Sequence, residues 1–304
     1  MAGHEPVDVF TEKVEEANRF MNHKRAIISV NIAVLLFGLA GLFAKWVQLP
    51  AIGITFGRVL FSSVALGIFL FVRRQSFRLK SGKDCLLMAL AGSVLALHWW
   101  AFFQSIQLST VAIGTITFAS FPLFVSVLEP ISFHEKLSGK AVVTSVIILI
   151  GVGITVPAFS FENRLFAGIL VGMISAFAYA VLTLINRKLV GRYNEALTAF
   201  YEQSIAAVLL APLAIAARMQ PSLTDLGLLL LLGVETTALA HTLFIASLKA
   251  LPAHLAGIFS SMETVYGILF AFLLLGTAPT WRECVGAAVI LSAVIGSQLF
   301  FLDK

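Results

Sequence analysis

Seven ionisable side chains sit inside long apolar runs of this sequence: Arg58, His98, Glu129, Glu202, Glu235, His241 and Glu263. An ionisable group at membrane depth costs at least about 2.5–3.5 kcal/mol on insertion scales, so such residues usually face a cavity or a partner. Their types define what they could do. The planar guanidinium of Arg58 suits a carboxylate or another anionic group. Glu202, Glu235 and Glu263 could hold an amine or exchange a proton, and His241 could share in the exchange. Ser260 lies one turn before Glu263 and Gly267 one turn after it, a small, polar helix face that suits a cavity wall. His98 is followed by Trp99 and Trp100, and aromatic walls suit planar or apolar solutes. Adjacent helical residues point about 100° apart, so one of the two Trp at most faces a shared cavity. The candidate substrate-binding set is therefore Arg58, His98, Trp99, Trp100, Glu202, Glu235, His241, Ser260 and Glu263. Each has a structural reading beside it: an arginine bonded to carbonyls, a protonated glutamate bonded to a neighbouring helix, a histidine satisfied in the core, a tryptophan used for packing. Glu129-Pro130 reads equally well as a helix-ending pair near water.

The sequence offers little for other chemistry. His134-Glu135-Lys136-Leu137-Ser138 begins like the zinc-protease pattern but ends in Ser where the second ligand belongs. Two His without carboxylates at ligand spacing make a poor metal site. Two Cys supply neither a disulfide framework nor a zinc pair. The expectation is a protein that is not an enzyme and carries no cofactor or metal, with no nucleotide-binding motif through which ATP could drive it directly.

The elements that must position these residues follow from composition. The chain has 304 residues, 59% hydrophobic and 12% charged, against roughly 25% charged in soluble domains. Mean hydropathy is +0.95. A soluble or disordered protein is excluded. A bilayer core of about 30 Å needs roughly 20 apolar residues per helix, and ten such runs occur: 26–46, 51–72, 85–106, 110–129, 141–157, 165–186, 194–217, 225–246, 252–275 and 281–301. The runs lack the alternation of barrel strands. Residues 1–25 carry five acids and no apolar run, so they are not a signal peptide. Val7, Phe10, Val14, Ala17 and Met21 recur at helical spacing, with Asp8 as a candidate N-cap. The segment reads either as an amphipathic helix on the cytoplasmic membrane surface or as a frayed tail.

With ten spans and the N-terminus inside, sixteen Lys and Arg fall on one side and four on the other, with Arg58 inside a span. Cationic flanks set orientation, so both termini are expected in the cytoplasm. Insertion thus accounts for the modest basic balance, and nucleic acid drops out as a partner. Leu108–Gly114 (LSTVAIG) and Leu251–Gly257 (LPAHLAG) are offset by 143 residues, an offset that also takes His98 to His241 and Thr55 to Thr198. The halves, 26–157 and 165–301, each hold five spans. An odd number forces the second half to enter from the opposite side, and an inverted repeat of this kind is a transporter architecture with its site near the midplane. Gly53-xxx-Gly57 and Gly168-xxx-Gly172 read as close helix contacts, and Pro122 and Pro212 as kinks.

Several segments resemble the EamA family of the drug/metabolite transporter superfamily over about residues 27–301. They are Phe37-Gly38 to Lys45, Arg58, the run HWWAFFQSIQLSTVAIGTITFASFPLF from His98 to Phe124, Glu135-Lys136-Leu137-Ser138, and Met262-Glu263-Thr264-Val265. The family often has Pro where Thr264 stands, and Gly-Glu where this chain has Gly276-Thr277. The resemblance implies an all-α bundle of ten helices in two inverted five-helix repeats. Spans one to four and six to nine surround the cavity, and the fifth and tenth lie aside, often at homodimer contacts. It also implies a bacterial inner-membrane exporter of small metabolites, working by alternating access. Arg58 with the three glutamates suits amino-acid-like zwitterions; proton coupling would fall to Glu263 or His241. The alternatives are hydrophobic, cationic drug-like or lipid-like solutes. An intramembrane enzyme would need a nucleophile or metal cluster, and a channel a continuous polar ring.

Overall fold

The computed structural model describes residues 9–155 and 163–302. Thirteen α-helices follow one another: α1 (Val9–Trp46), α2 (Ala51–Val72), α3 (Gly82–Leu108), α4 (Val111–Phe118), α5 (Phe121–Phe133), α6 (Gly139–Thr155), α7 (Asn163–Leu189), α8 (Glu195–Ala216), α9 (Leu223–Gly233), α10 (Ala240–Ser247), α11 (Ala253–Ser260), α12 (Met262–Leu275) and α13 (Trp281–Leu302). No strand occurs among the described residues. The pairs α4–α5, α9–α10 and α11–α12 each make one crossing, so the chain crosses ten times. Eight crossings are long and apolar enough for a bilayer among the described residues, and the fifth and tenth contribute shorter apolar helices, Gly139–Gly151 and Cys284–Ser297. α1 is continuous from Val9, so the amphipathic segment joins the first span with no turn between them; the candidate cap Asp8 lies outside the described residues.

The two halves interlock rather than sit side by side. α3 packs on α7 and α8, α2 on α8 and α9, α1 on α10 and α12, and α5 on α7 and α11. Each pairing joins a helix of one half to a helix of the other, as expected when opposed repeats share one core. α6 and α13 pack mainly on each other, to the side. Close approach rests on small residues: a Cβ at Gly172 of α7 would overlap Thr117 Oγ1 of α4.

Helix starts repeat between the halves. Ser81 accepts from the Asp84 amide at the head of α3, and Ser222 accepts from the Asp225 amide at the head of α9. The two Ser-x-x-Asp motifs lie 141 residues apart and do the same work on opposite faces. Asp84 accepts from Tyr193 Oη at 2.7 Å and Arg192 Nη1 at 3.1 Å, in the loop before α8. Asp225 accepts from the Gln48 amide at 2.9 Å, in the loop before α2. Each half thereby anchors a loop of the other. We call the end bearing Arg187, Lys188 and Arg192 the basic end.

Three crossings are broken near mid-depth. The fourth breaks at Ala119-Ser120, with Pro122 in the first turn of α5. The ninth breaks at Ser261, the corresponding place in the second half. The two broken crossings touch: Thr264 Oγ1 donates to the Thr115 carbonyl at 3.2 Å. In the eighth, residues Val234–Leu239 form a π-helical turn. Its cause is local. Thr236 and Thr237 both donate to the Leu232 carbonyl, at 2.8 and 2.7 Å, which widens the turn.

Candidate functional site

The two broken crossings, with α1, α2, α3 and α7, surround an internal cavity lined by Phe37, Ala40, Arg58, His98, Trp99, Phe102, Phe118, Tyr179 and Glu263. Arg58 is the most demanding of these, because the residue is 1% exposed at membrane depth. Three features hold it. Nε donates to Thr237 Oγ1 at 3.0 Å, the hydroxyl presented by the π turn. The guanidinium carbon stands 3.8 Å over the Trp99 ring and 5.3 Å from that of Phe103. A desolvated cation over an aromatic face gains up to about 2 kcal/mol. With Nε committed, the two terminal nitrogens remain for an anionic group.

Glu263 stands on the cavity wall in the first turn of α12. No hydrogen bond to its carboxylate occurs among the described residues. The Tyr179 hydroxyl, also on the wall, is buried without a protein partner. His98 Nδ1 lies 3.0 Å from the Ser175 carbonyl, an acceptor, so this nitrogen carries the proton; in the neutral ring Nε2 is then an acceptor. Rings of Tyr179 and Phe118 pack against His98 with centroids 4.5 and 5.2 Å away. One cation, one carboxyl, a hydroxyl and an imidazole therefore converge inside an aromatic box. The cavity measures about 20 Å³, room for one or two waters, so a solute enters only when helices move.

The structure distributes the nine expected residues over several places. Arg58, His98, Trp99 and Glu263 come together. Trp100, next to Trp99, points elsewhere and packs half-buried against the core. Ser260 is not in the wall: its hydroxyl donates back to the Ala256 carbonyl at 2.9 Å, and the break at Ser261 ends the common face expected with Glu263. Glu235 is exposed on the outside of the π turn. Glu202 and His241 are both 0% exposed and bond one another, Oε2 to Nε2, at 2.6 Å, behind the cavity rather than on its wall. Sequence reasoning missed Tyr179, Phe37, Phe102, Phe118 and Thr237. Tyr179 left a signal, a hydroxyl in the middle of an apolar span, flanked at four-residue spacing by Ser175 and Thr183. The phenylalanines left none in a chain with 26 of them.

At the basic end the crossings are clamped. Glu129 Oε1 accepts from Arg187 Nη1 and from the Ala253 amide, both at 2.6 Å. Glu129 Oε2 accepts from the His254 amide at 3.0 Å and lies 2.5 Å from His254 Nδ1. Arg187 also grips Glu135, at 2.6 and 3.0 Å. One buried carboxylate thus ties α5, α7 and the N-terminus of α11, where the helix dipole favours negative charge. Glu129 is a structural clasp more than the helix-ending residue before Pro130. At the other end no such clamp closes α1 against α4 and α12 among the described residues. A pocket of about 390 Å³ lies there, lined by Lys45, Thr110, Val111, Thr115, Gly267 and Leu275 among others.

The sequence model of the EamA-like transporter family matches this chain twice, over residues 24–156 and 166–298. The chain belongs to the EamA-like transporter family. This EamA-like protein is 23% identical to an uncharacterised transporter of Bacillus subtilis (strain 168) over 88% of each chain. It is 24% identical to an S-adenosylmethionine uptake transporter of Rickettsia felis over 82% of this chain and 83% of the relative. It is 25% identical to human solute carrier family 35 member G1, over 88% of this chain and 77% of the relative. A solved crystal structure superposes with a TM-score of 0.75 at 18% identity, covering 90% of this chain and 96% of the other, which supports the ten-helix fold. The relatives are named transporters, not enzymes, and the protein is a multi-pass membrane transporter of the EamA type.

Proposed function

We propose that this EamA-like transporter carries small amino-acid-like or related zwitterionic metabolites by alternating access, with Arg58 holding the carboxylate and Glu263 the ammonium. The observation that carries the reading is the pairing of a buried arginine, two of its nitrogens uncommitted, with an unbonded carboxyl on the wall of one aromatic-lined cavity. Phe37, Trp99, Phe102 and Phe118 suit a planar or apolar portion of the same solute. The name of the Rickettsia relatives agrees in kind, since S-adenosylmethionine combines an amino-acid end with a planar base. The exporter implied by the resemblance and the uptake in that name are two senses of one cycle, and the gradients decide between them. The basic end is assigned to the cytoplasm of a bacterial inner membrane, with both termini there, on the excess of Lys and Arg.

The test is a thermal-unfolding screen of the purified protein against amino acids, S-adenosylmethionine, amines, nucleosides and sugars. A solute that binds the folded state at 100 times its Kd adds about 2.7 kcal/mol of stability. The expected result is a saturable shift with a zwitterion. Stabilisation by purely anionic or purely cationic solutes alone, with no competing zwitterion, contradicts the assignment. Hits confined to uncharged hydrophobic compounds would move the reading to solutes entering from the bilayer.

A further inference from the structure

Behind the cavity lies a wholly buried titratable pair that substrate binding does not use. Glu202 of α8 and His241 of α10 are wholly buried and face each other at 2.6 Å. Each keeps a second polar atom, Glu202 Oε1 and His241 Nδ1, that is buried without a protein partner. The same holds for both amide atoms of Gln203, Thr242 Oγ1 and Ser62 Oγ nearby in sequence or on the facing α2. A buried polar atom left unbonded costs roughly 1–3 kcal/mol. A pair kept only to join two helices would be satisfied by partners on every atom; this one leaves an open acceptor on the acid and an open nitrogen on the imidazole.

We propose that Glu202 and His241 together form the coupling-proton site of this transporter, separate from the residues that hold the solute. The proposal rests on the carrier reading above. With a single proton held between Oε2 and Nε2 the pair carries one net negative charge. One proton taken up at Nδ1 or Oε1 cancels that charge, and the same proton is released later in the cycle. Only an N–H or O–H bond is made and broken.

The position of the pair fits the task. Glu202 and Arg58 each lie seven residues past the first residue of their helix, Glu202 about 10 Å from the basic end of α8 and Arg58 about 10 Å from the opposite end, where α2 begins. Trp99 connects them. Its ring meets the His241 ring at 66° with centroids 5.8 Å apart and carries the Arg58 guanidinium 3.8 Å from its centroid on the cavity side. A one-charge change within about 10 Å of Arg58, at an effective dielectric of about 20, alters the hold on a charged solute roughly tenfold. The ionisable groups facing the pair are few. α2 contributes Arg58, α3 contributes His98 and α7 contributes Tyr179; α12, which carries Glu263, does not pack on α8 or α10. Glu235, on the turn before α10, is exposed on the outer surface. α1, packed against α10, has no ionisable residue between Arg25 and Lys45.

The experiment uses the full chain in proteoliposomes with a radiolabelled amino-acid mixture and, separately, labelled S-adenosylmethionine. Two fluxes are read: counterflow, which needs no gradient, and uphill accumulation driven by an imposed pH gradient of either sense. Wild type is expected to show both. Glu202→Gln and His241→Gln are expected to keep counterflow and to lose uphill accumulation, falling to the level seen without a gradient. Gradient-driven accumulation retained in both variants overturns the proposal. So does a wild type with counterflow but no response to the gradient, which leaves the carrier reading standing. Loss of counterflow in both variants places the pair in the binding site or the scaffold and also overturns it. Absence of wild-type counterflow with every probe is the separate result that defeats the carrier reading.

Discussion

Arg58→Lys is expected to weaken binding of a zwitterionic solute by roughly 10- to 150-fold, from about 1.5–3 kcal/mol for a charge-assisted hydrogen bond in a dry site. The charge survives the substitution; the geometry does not. Arginine gives Nε to Thr237 at 3.0 Å, lays its plane over Trp99 at 3.8 Å, and still offers two parallel donors. A lysine ammonium is a point charge that cannot do all three. The measurement is the solute concentration giving half-maximal thermal stabilisation, wild type against variant. The solute-free melting temperature is recorded alongside, so that lost affinity is separated from lost fold. An unchanged half-maximal concentration would show that the solute's carboxylate goes elsewhere.

The second large effect is expected at the clasp. Removing one partner of a buried ion pair costs about 3–5 kcal/mol, and Glu129 serves Arg187, His254 and the Ala253 amide together. Glu129→Gln is therefore expected to shift the equilibrium toward a form open at the basic end by a hundredfold or more, since each 1.4 kcal/mol is a factor of ten. Val125 is a suitable reporter. It is 0% exposed and one turn inward from Glu129 on the same face of α5. In a protein with the exposed Cys85 and Cys284 replaced by Ser, a Val125→Cys thiol should react with a water-soluble maleimide slowly when Glu129 is present. It should react much faster beside Glu129→Gln. Equal rates would mean that the basic end is held by packing alone.

Most of the fold was readable because a bilayer imposes one requirement on every span. Twenty or so apolar residues, short loops and a lopsided distribution of Lys and Arg leave little choice of architecture. The repeat was readable through LSTVAIG and LPAHLAG. A plainer mark of it, Ser81-x-x-Asp84 against Ser222-x-x-Asp225, lies in the same sequence, and its meaning emerges only when each Asp is seen bonding a loop of the other half. The interruptions of the fourth and ninth crossings were half readable. Pro122 marks the first, but nothing in Ser260-Ser261-Met262 announces the second. The lining of the candidate site was readable where a side chain is costly, at Arg58 and Glu263, because few other reasons justify such residues in an apolar run. It was not readable where helix geometry decides. A π turn rotates Glu235 outward while delivering Thr237 to Arg58, and a helix break turns Ser260 away from Glu263. The partnership of Glu202 with His241 joins residues 39 apart, a distance no local pattern spans.

Counterflow in proteoliposomes tests the central claim most directly. Vesicles loaded with an excess of unlabelled S-adenosylmethionine or amino acids are diluted into trace amounts of the labelled compound, with no ion gradient. A carrier with a single alternating site gives a transient overshoot of label inside, saturable in solute and suppressed in Arg58→Lys. Label that only equilibrates, at a rate linear in concentration and indifferent to Arg58, would contradict a zwitterion carrier built on this cavity.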